Sequence, residues 1–301
     1  MAWAIGLDIG GTKIAAGLVG ATGSVTGRIE APAPHDARGV EQAALALARQ
    51  VLDEQDSPQI EAVGVGSPGT IDPISGKVTA SDSKPALVGA NVGEVLGQAL
   101  GVPYAVTNDV NAAGVGELAY GVAAGFSRVL VVAAGTGIGG ALLINGRLEE
   151  GMSGTTGEIA HLLVPQAGAG VCGCGKRDHL EAVASGPAIE AEYAAATGER
   201  RTAREIARIA ADGNPTASTT IDAAATTLGR CVAGLANAVD IDALVITGGV
   251  ADIERYFAAA KTAFSDEVMV PLNGVPVLRS ALGADAPIVG AATYVRARLG
   301  I

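Results

Sequence analysis

The residue types best suited to chemistry fall in a few short segments. Asp8-Ile9-Gly10-Gly11-Thr12-Lys13 sets a carboxylate, adjacent glycines, a hydroxyl and a cation side by side. Glycines let the backbone turn tightly and aim N–H groups at an anion. Thr12 and Lys13 add a donor and a positive charge, and Asp8 beside them suits a metal ion held through water. An ordinary hairpin turn would use the same glycines. Gly135-Thr136-Gly137-Ile138-Gly139-Gly140 is a second turn of this kind. It contains G-x-G-x-x-G, a pattern that marks a dinucleotide site only between a strand and a helix. Ala141 to Ile144 and the Asn145-Gly146 turn follow instead, so the next element reads as a strand. A phosphate-holding hairpin turn is expected here, with a purely structural turn as the alternative. Asn108-Asp109 ends an apolar run just before a helical pattern. A carboxylate at a helix N-terminus is stabilised as an anion and could orient a hydroxyl and accept its proton; a plain N-cap favours the same residues.

His161, Cys172, Cys174 and His179 form a further cluster. Two thiolates and two imidazoles complete a tetrahedral Zn²⁺ set, although Cys-x-Cys is tighter than the usual Cys-x-x-Cys. Scattered polar loop residues are the alternative. Glu158, His161 and Glu181 flank the cluster and suit sugar hydroxyls, although exposed loop carboxylates are common. Gly170 to Arg177 reads GVCGCGKR, close to a P-loop. Arg177 stands where Ser or Thr would hold Mg²⁺ and no buried strand leads in, so the likeness is coincidental. Cys231 lies in an apolar helical stretch and reads as a small core residue.

Residues 4–20 predict a strand, a Gly-rich turn and a strand, and residues 129–144 repeat that pattern. The repetition suggests two related halves. Short strands are expected at Ala62 to Gly66, at Tyr104 to Thr107 and at Ala243 to Ile246, the last followed by Thr247-Gly248-Gly249. Residues 40–52 place Val40, Ala44, Leu47 and Val51 on one helical face. Further helices are expected over 87–100, 111–120 and much of 180–239, while residues 75–92 read as a loop. Strands alternating with helices imply an α/β protein.

Composition narrows the class. The chain has 301 residues, of which 43 are Gly and 49% are hydrophobic, with only 3% aromatic. That excludes collagen-like and disordered Gly-rich chains and allows about two domains with cores of Ala, Val, Leu and Ile. The formal net charge of −11 argues against nucleic-acid binding. Three cysteines make no disulfide framework, which fits a reducing cytoplasm. No signal peptide is visible, and the apolar run from Val129 to Ile144 is too short and too Gly-rich for a membrane span.

Taken in order, these motifs resemble the ROK family of repressors and sugar kinases over nearly the whole chain. Asp8 to Lys13 resembles the family's first phosphate motif, DxGGTK. Asn108 to Ala113 resembles NDANAA, and Gly135 to Gly140 the second phosphate motif. Gly157 to His161 resembles GEIGH, Cys172 to Glu181 resembles C-x-C-G-x-x-G-C-x-E, and Thr247-Gly248-Gly249 resembles the adenosine-side loop. His179 stands where the family has its third cysteine, and Asp178 where it has a glycine.

The resemblance implies a duplicated ribonuclease-H-like, actin-type ATPase fold with an interdomain active-site cleft. It implies an N-terminal domain over 1–108 that takes back a C-terminal helix near 288–301, and a second domain over 109–287 carrying the zinc loop. Asp109 would be the catalytic base, and Asn108, Asp109, Glu158, His161 and Glu181 would hold the sugar. Asp8, Gly10, Gly11, Thr12, Lys13, Gly135, Thr136, Gly137, Gly139, Gly248 and Gly249 would hold ATP and its Mg²⁺. Zn²⁺ on His161, Cys172, Cys174 and His179 would be structural, with the other ring nitrogen of His161 facing the sugar. The expected activity is ATP-dependent phosphorylation of a hexose 6-hydroxyl, glucose foremost. Alternatives are an N-acetylmannosamine or N-acetylglucosamine kinase and a non-catalytic sugar sensor. Ser83 and the Lys84-Pro85-Ala86-Leu87 stretch depart from the sugar loop of relatives. Family repressors carry a helix-turn-helix ahead of the first motif. Here the strand pattern begins at Ala4, so a regulator is not expected. Relatives are commonly dimers or tetramers, which implies a homo-oligomer.

Overall fold

The computed structural model describes residues 3–164 and 170–301. In chain order the elements are β1 (Trp3–Ile9), β2 (Lys13–Val19), β3 (Val25–Pro32), α1 (Ala37–Glu54), β4 (Ile60–Ser67), β5 (Thr70–Ile71), β6 (Val78–Ala80), α2 (Val92–Leu100), β7 (Tyr104–Asn108) and α3 (Asp109–Tyr120). They continue with β8 (Arg128–Ala134), β9 (Ile138–Ile144), β10 (Arg147–Leu148), α4 (Glu181–Ala184), α5 (Gly186–Thr197), α6 (Ala203–Ala211) and α7 (Pro215–Val239). The last are β11 (Ala243–Thr247), α8 (Glu254–Glu267), β12 (Val277–Arg279) and α9 (Ala286–Leu299).

Two five-stranded sheets share one plan, β3-β2-β1-β4-β7 and β10-β9-β8-β11-β12. In the first, β1, β2 and β3 are antiparallel neighbours, while β4 and β7 run parallel to β1. In the second, β11 and β12 run parallel to β8, and β10 pairs antiparallel with β9. This is the duplicated α/β architecture that the repeated strand–turn–strand pattern predicted. The expected loop over 75–92 contains the short strand β6 and a 3-10 turn at Pro85–Leu87.

Two compact units make up the chain, one of residues up to Gly125 with 141–157 and 281–301, the other of 126–140 and 158–280. Residues 109–125, 141–157 and 281–287, which the sequence reading gave to the second domain, thus cluster with the first.

In the first unit the strands alternate two kinds of face. Ile5, Leu7 and Ile9 of β1 join Ile14, Leu18, Val63 and Val65 under α1 and α2, where Val40, Ala44, Leu47, Val51, Val92 and Leu96 are buried. That face of α1 is the one its spacing predicted, and Asp36 caps the helix by accepting from the Gly39 N–H at 2.9 Å. The opposite face carries Ala4, Gly6 and Asp8 on β1 and Ala62, Gly64 and Gly66 on β4. Here α9 lies almost on the sheet backbone. A Cβ on Gly64 would sit 1.9 Å from the Ala291 carbonyl oxygen, and one on Gly290 would sit 1.6 Å from that of Ala112 in α3. No side chain fits between such backbones, so glycine is required at both contacts. High Gly and low aromatic content are two aspects of one packing choice.

Gly64→Ala should therefore lower stability by about 3 kcal/mol or more, above the usual range for an added methyl, because the obstacle is backbone. Chemical denaturation would measure it; a change under 1 kcal/mol would contradict the close approach.

Candidate functional site

The carboxyl ends of the parallel strands β1, β4 and β7 meet at one edge of the first sheet, where open α/β sheets bind ligands. Asp8 ends the small-residue face of β1 and pairs in register with Gly66 of β4. A Cβ on Gly66 would lie 3.4 Å from the Asp109 Cα, so α3 begins directly over this pair. Burial, and then the neighbouring Asp109 carboxylate, push Asp8 up to about pKa 7, against the opposing pull of Arg28 and Lys13. Two carboxylates brought together this way favour a cation between or beside them.

Asn108 is the N-cap of α3. Its Oδ1 accepts from the Val110 and Asn111 N–H groups at 2.8 and 3.2 Å, and its Nδ2 donates to the Gly69 carbonyl at 3.0 Å. The plain capping role is thus present, and the Asp109 Oδ1 accepts from the same Val110 N–H at 2.9 Å. In the first Gly-rich turn, the Gly10 N–H donates to the Lys13 carbonyl and closes the hairpin, leaving Gly11 and Thr12 exposed at its tip. The Lys13 ammonium turns aside to Glu30, 3.0 Å from both carboxylate oxygens.

The second unit gathers another set. The Gly135–Gly137 turn between β8 and β9 closes by a Gly135 N–H bond to the Gly137 carbonyl, leaving Thr136 exposed. Gly248, at a left-handed φ of 96°, lets the β11 loop lie against the end of β8. The Val250 N–H donates to the Ala134 carbonyl there. Gly139 follows within β9 and Gly249 is exposed beside Gly248. The start of α5 joins them, its Gly186 N–H donating to the Gly135 carbonyl at 2.9 Å. Sequence reasoning missed this last contact. The Ser185-Gly186-Pro187 helix start, an N-cap with proline just inside, was its available signal.

His161, Cys172, Cys174 and His179 bring four donor atoms within 4.8 Å of one another. His161 Nδ1 lies 3.2 Å from His179 Nδ1 and 3.8 Å from Cys172 Sγ, while Cys174 Sγ lies 3.3 Å from His179 Nδ1. Neighbouring ligands of a tetrahedral zinc ion stand roughly 3.3–3.8 Å apart, given Zn–N of about 2.0 Å and Zn–S of about 2.3 Å. The donor set fits such an ion. Burial pushes the Cys172 thiol up to about pKa 11, so without a cation it keeps its proton. The other ring nitrogen of His161, Nε2, faces the Glu158 carboxylate at 3.8 Å.

Glu181, read from sequence only as a sugar ligand, points elsewhere with one oxygen. Its Oε2 accepts from the Ile138 N–H in the second Gly-rich turn at 3.1 Å, and its Oε1 faces the Cys172 thiol at 3.7 Å. The P-loop-like stretch is a small knuckle in which the Cys172 N–H bonds to the Lys176 carbonyl. It does not feed a helix directly, as a P-loop must. Asp178 holds a left-handed φ of 62°, which explains a glycine at this place in the family pattern, and its Oδ1 is buried with no hydrogen-bond partner.

Asp8 binds a proton more tightly in the fold than in the unfolded chain. The fold is therefore unpenalised below about pH 4 and loses stability as pH rises toward 7, where Asp8 ionises. Thermal unfolding in metal-free buffer should show Asp8→Asn gaining on wild type across that window and holding its advantage above it. A difference independent of pH would show that Asp8 titrates normally. Asp178→Gly should raise stability by about 1 kcal/mol by relieving the left-handed strain. Unfolding midpoints of the two proteins would test it, and a loss of stability would refute it.

Comparison with known proteins bears on the family and the fold. The sequence model of the ROK family matches residues 4–298. A glucokinase of Thermotoga maritima is 30% identical, over 98% of each chain. An N-acetylmannosamine kinase of Yersinia pseudotuberculosis is 31% identical, over 98% of this chain and 99% of the relative. The solved structure of a ROK family glucokinase from Streptomyces griseus, in complex with glucose and AMPPNP, is 30% identical with a TM-score of 0.85. It covers 98% of this chain and 99% of that one. The shared motifs, the duplicated sheets and a match along almost the whole length have one meaning: the chain belongs to the ROK family.

Proposed function

We propose that the protein is an ATP-dependent hexose kinase acting on the sugar 6-hydroxyl, with glucose as substrate. The observation that carries the reading is the placing of Asp109 at the head of α3, over Gly66 and beside Asp8, at the carboxyl edge of the first sheet. Likeness to two named glucokinases supports it.

In this reading Asn108, Asp109, Glu158, His161 and Glu181 hold the hexose. The 6-oxygen forms a bond to the γ-phosphorus, the bond from that phosphorus to the bridging oxygen breaks, and ADP leaves. The hydroxyl proton passes to the Asp109 carboxylate and then to solvent. Phosphoryl transfer has a loose transition state, so orientation and charge neutralisation outweigh the strength of the base. Gly10, Gly11, Thr12, Lys13, Gly135, Thr136, Gly137, Gly139, Gly248 and Gly249 serve the nucleotide. Lys13 must leave Glu30 to reach a phosphate, which costs little because exposed pairs are worth about 1 kcal/mol or less. Mg²⁺ would supply charge neutralisation on the phosphates, and Asp8, its proton affinity raised by burial and then by the Asp109 carboxylate, is the residue that would hold it. Zn²⁺ on His161, Cys172, Cys174 and His179 serves order rather than chemistry, fixing the ring of His161. The reducing, ATP-containing cytoplasm suits free thiols and this reaction. Among the described residues no helix is long and apolar enough to cross a membrane.

A second reading is an N-acetylmannosamine kinase. The 31% identical relative favours it, as does the altered segment around Ser83 and Lys84.

A panel of glucose, mannose, fructose and N-acetylhexosamines with MgATP decides the substrate. Turnover should be greatest on glucose, and turnover on N-acetylmannosamine alone would favour the second reading. Asp109→Ala should lose at least about a hundredfold in kcat with the fold retained; near-wild-type turnover would overturn the base. Elemental analysis should find about one zinc per chain. His179→Cys should keep it and His179→Ala should lose it. A zinc-free protein of full activity would refute the structural metal.

A further inference from the structure

We infer that Glu181 is a positioning residue that couples the Cys/His cluster to the second Gly-rich turn. The order of the cluster would then set the shape of a nucleotide-binding turn, an inference that rests on the kinase reading for its ligand. One carboxylate touches both features, with Oε2 on the Ile138 N–H at 3.1 Å and Oε1 by the Cys172 thiol at 3.7 Å. It lies against the turn itself, since a Cβ on Gly137 would come 2.7 Å from Oε2. The glycine at 137 leaves room for this carboxylate as much as for any phosphate.

The segment bearing Glu181 is anchored on both sides. Upstream, the Leu180 N–H donates to the Leu162 carbonyl at 2.8 Å, next to His161, and His179 is in the cluster. Downstream, the fully buried Tyr256 of α8 donates its hydroxyl to the Ala184 carbonyl at 2.8 Å, and Gly186 N–H holds the Gly135 carbonyl. Residues 179–186 therefore grip the turn at two points, Ile138 through a side chain and Gly135 through the backbone. A shift of the cluster cannot leave the turn unmoved unless the Glu181 bond breaks. One lone pair of Oε2 is committed to Ile138, which leaves a sugar hydroxyl the remaining acceptor sites of the carboxylate.

The test compares wild type, Glu181→Ala and Glu181→Gln, each with metal content measured. Amide hydrogen exchange at Ile138 is read by NMR. Titrations with MgAMPPNP and with glucose are run separately. Glu181→Ala should retain its metal, because no cluster ligand changes. Its Ile138 amide should exchange about tenfold faster or more, and its MgAMPPNP Kd should rise about tenfold, the scale of one lost charged hydrogen bond. In Glu181→Gln the amide oxygen can still accept from Ile138, so protection and nucleotide affinity should return while glucose binding stays weak. Stripping metal from wild type should speed Ile138 exchange, and stripping it from Glu181→Ala should add little, since the path is already cut. Unchanged Ile138 exchange on chelation, or in both variants, would overturn the coupling, as would a loss confined to glucose binding. If Glu181→Ala does not fold, Glu181→Gln and the chelated wild type decide. Should exchange respond as stated while wild type binds neither nucleotide nor sugar, the coupling stands and the kinase reading falls.

Discussion

Much of the first unit depends on one contact, the near-touching of backbones where α9 and α3 meet the small-residue face of β1 and β4. Gly64 against Ala291 and Gly290 against Ala112 leave no space for even a methyl group. Helices lying this close fix their own height and angle through main-chain atoms, which have few ways to relax. The start of α3 inherits that precision. It places Asp109 over Gly66 and within the field of Asp8, whose proton affinity is raised first by burial and then by this second carboxylate. A bulkier interface would stand the helix farther off and separate the two carboxylates. The large glycine content thus bears on chemistry as well as on packing.

The second unit solves a similar positioning problem differently. Its second Gly-rich turn is held by hydrogen bonds from residues 179–186. Glu181 binds the Ile138 N–H and Gly186 the Gly135 carbonyl, while Tyr256 pins the short helix between them. The Cys/His cluster stands behind this segment. Small loops lack a core to order them, and a metal ion supplies order where apolar burial cannot.

The repeated strand–turn–strand units were legible because short apolar runs on either side of clustered glycines mark buried strands joined by a tight turn. Val40, Ala44, Leu47 and Val51 announced α1 by their spacing on one apolar face, while the Asp36 cap emerged only from the structure. The Cys/His cluster was legible from residue type alone, and Asp178 became intelligible once its left-handed φ was known. The capping work of Asn108 was also foreseeable, since asparagine before a helix is a cap before it is anything else. Less was visible where the chain returns on itself. The family resemblance implied the return of a C-terminal helix, but residues 141–157 and 281–287 also cluster with the first unit, and nothing local in Glu150 or Ala281 records that.

The sequence by itself determined the alternation of strands and helices, the turns, the cap of α3 and the chemical identity of each candidate group. These follow from local rules about glycine, apolar spacing and side-chain donors. Tertiary structure alone decided which groups act together. Asp8 and Asp109 are a hundred residues apart in number, and their electrostatic pairing exists only because β1, β4 and α3 share one edge. Glu181 read only as a carboxylate suited to a sugar hydroxyl until the fold set its oxygens between a turn and a thiol. Proximity across the chain is fixed by packing, and packing is a property of the assembled elements rather than of any segment.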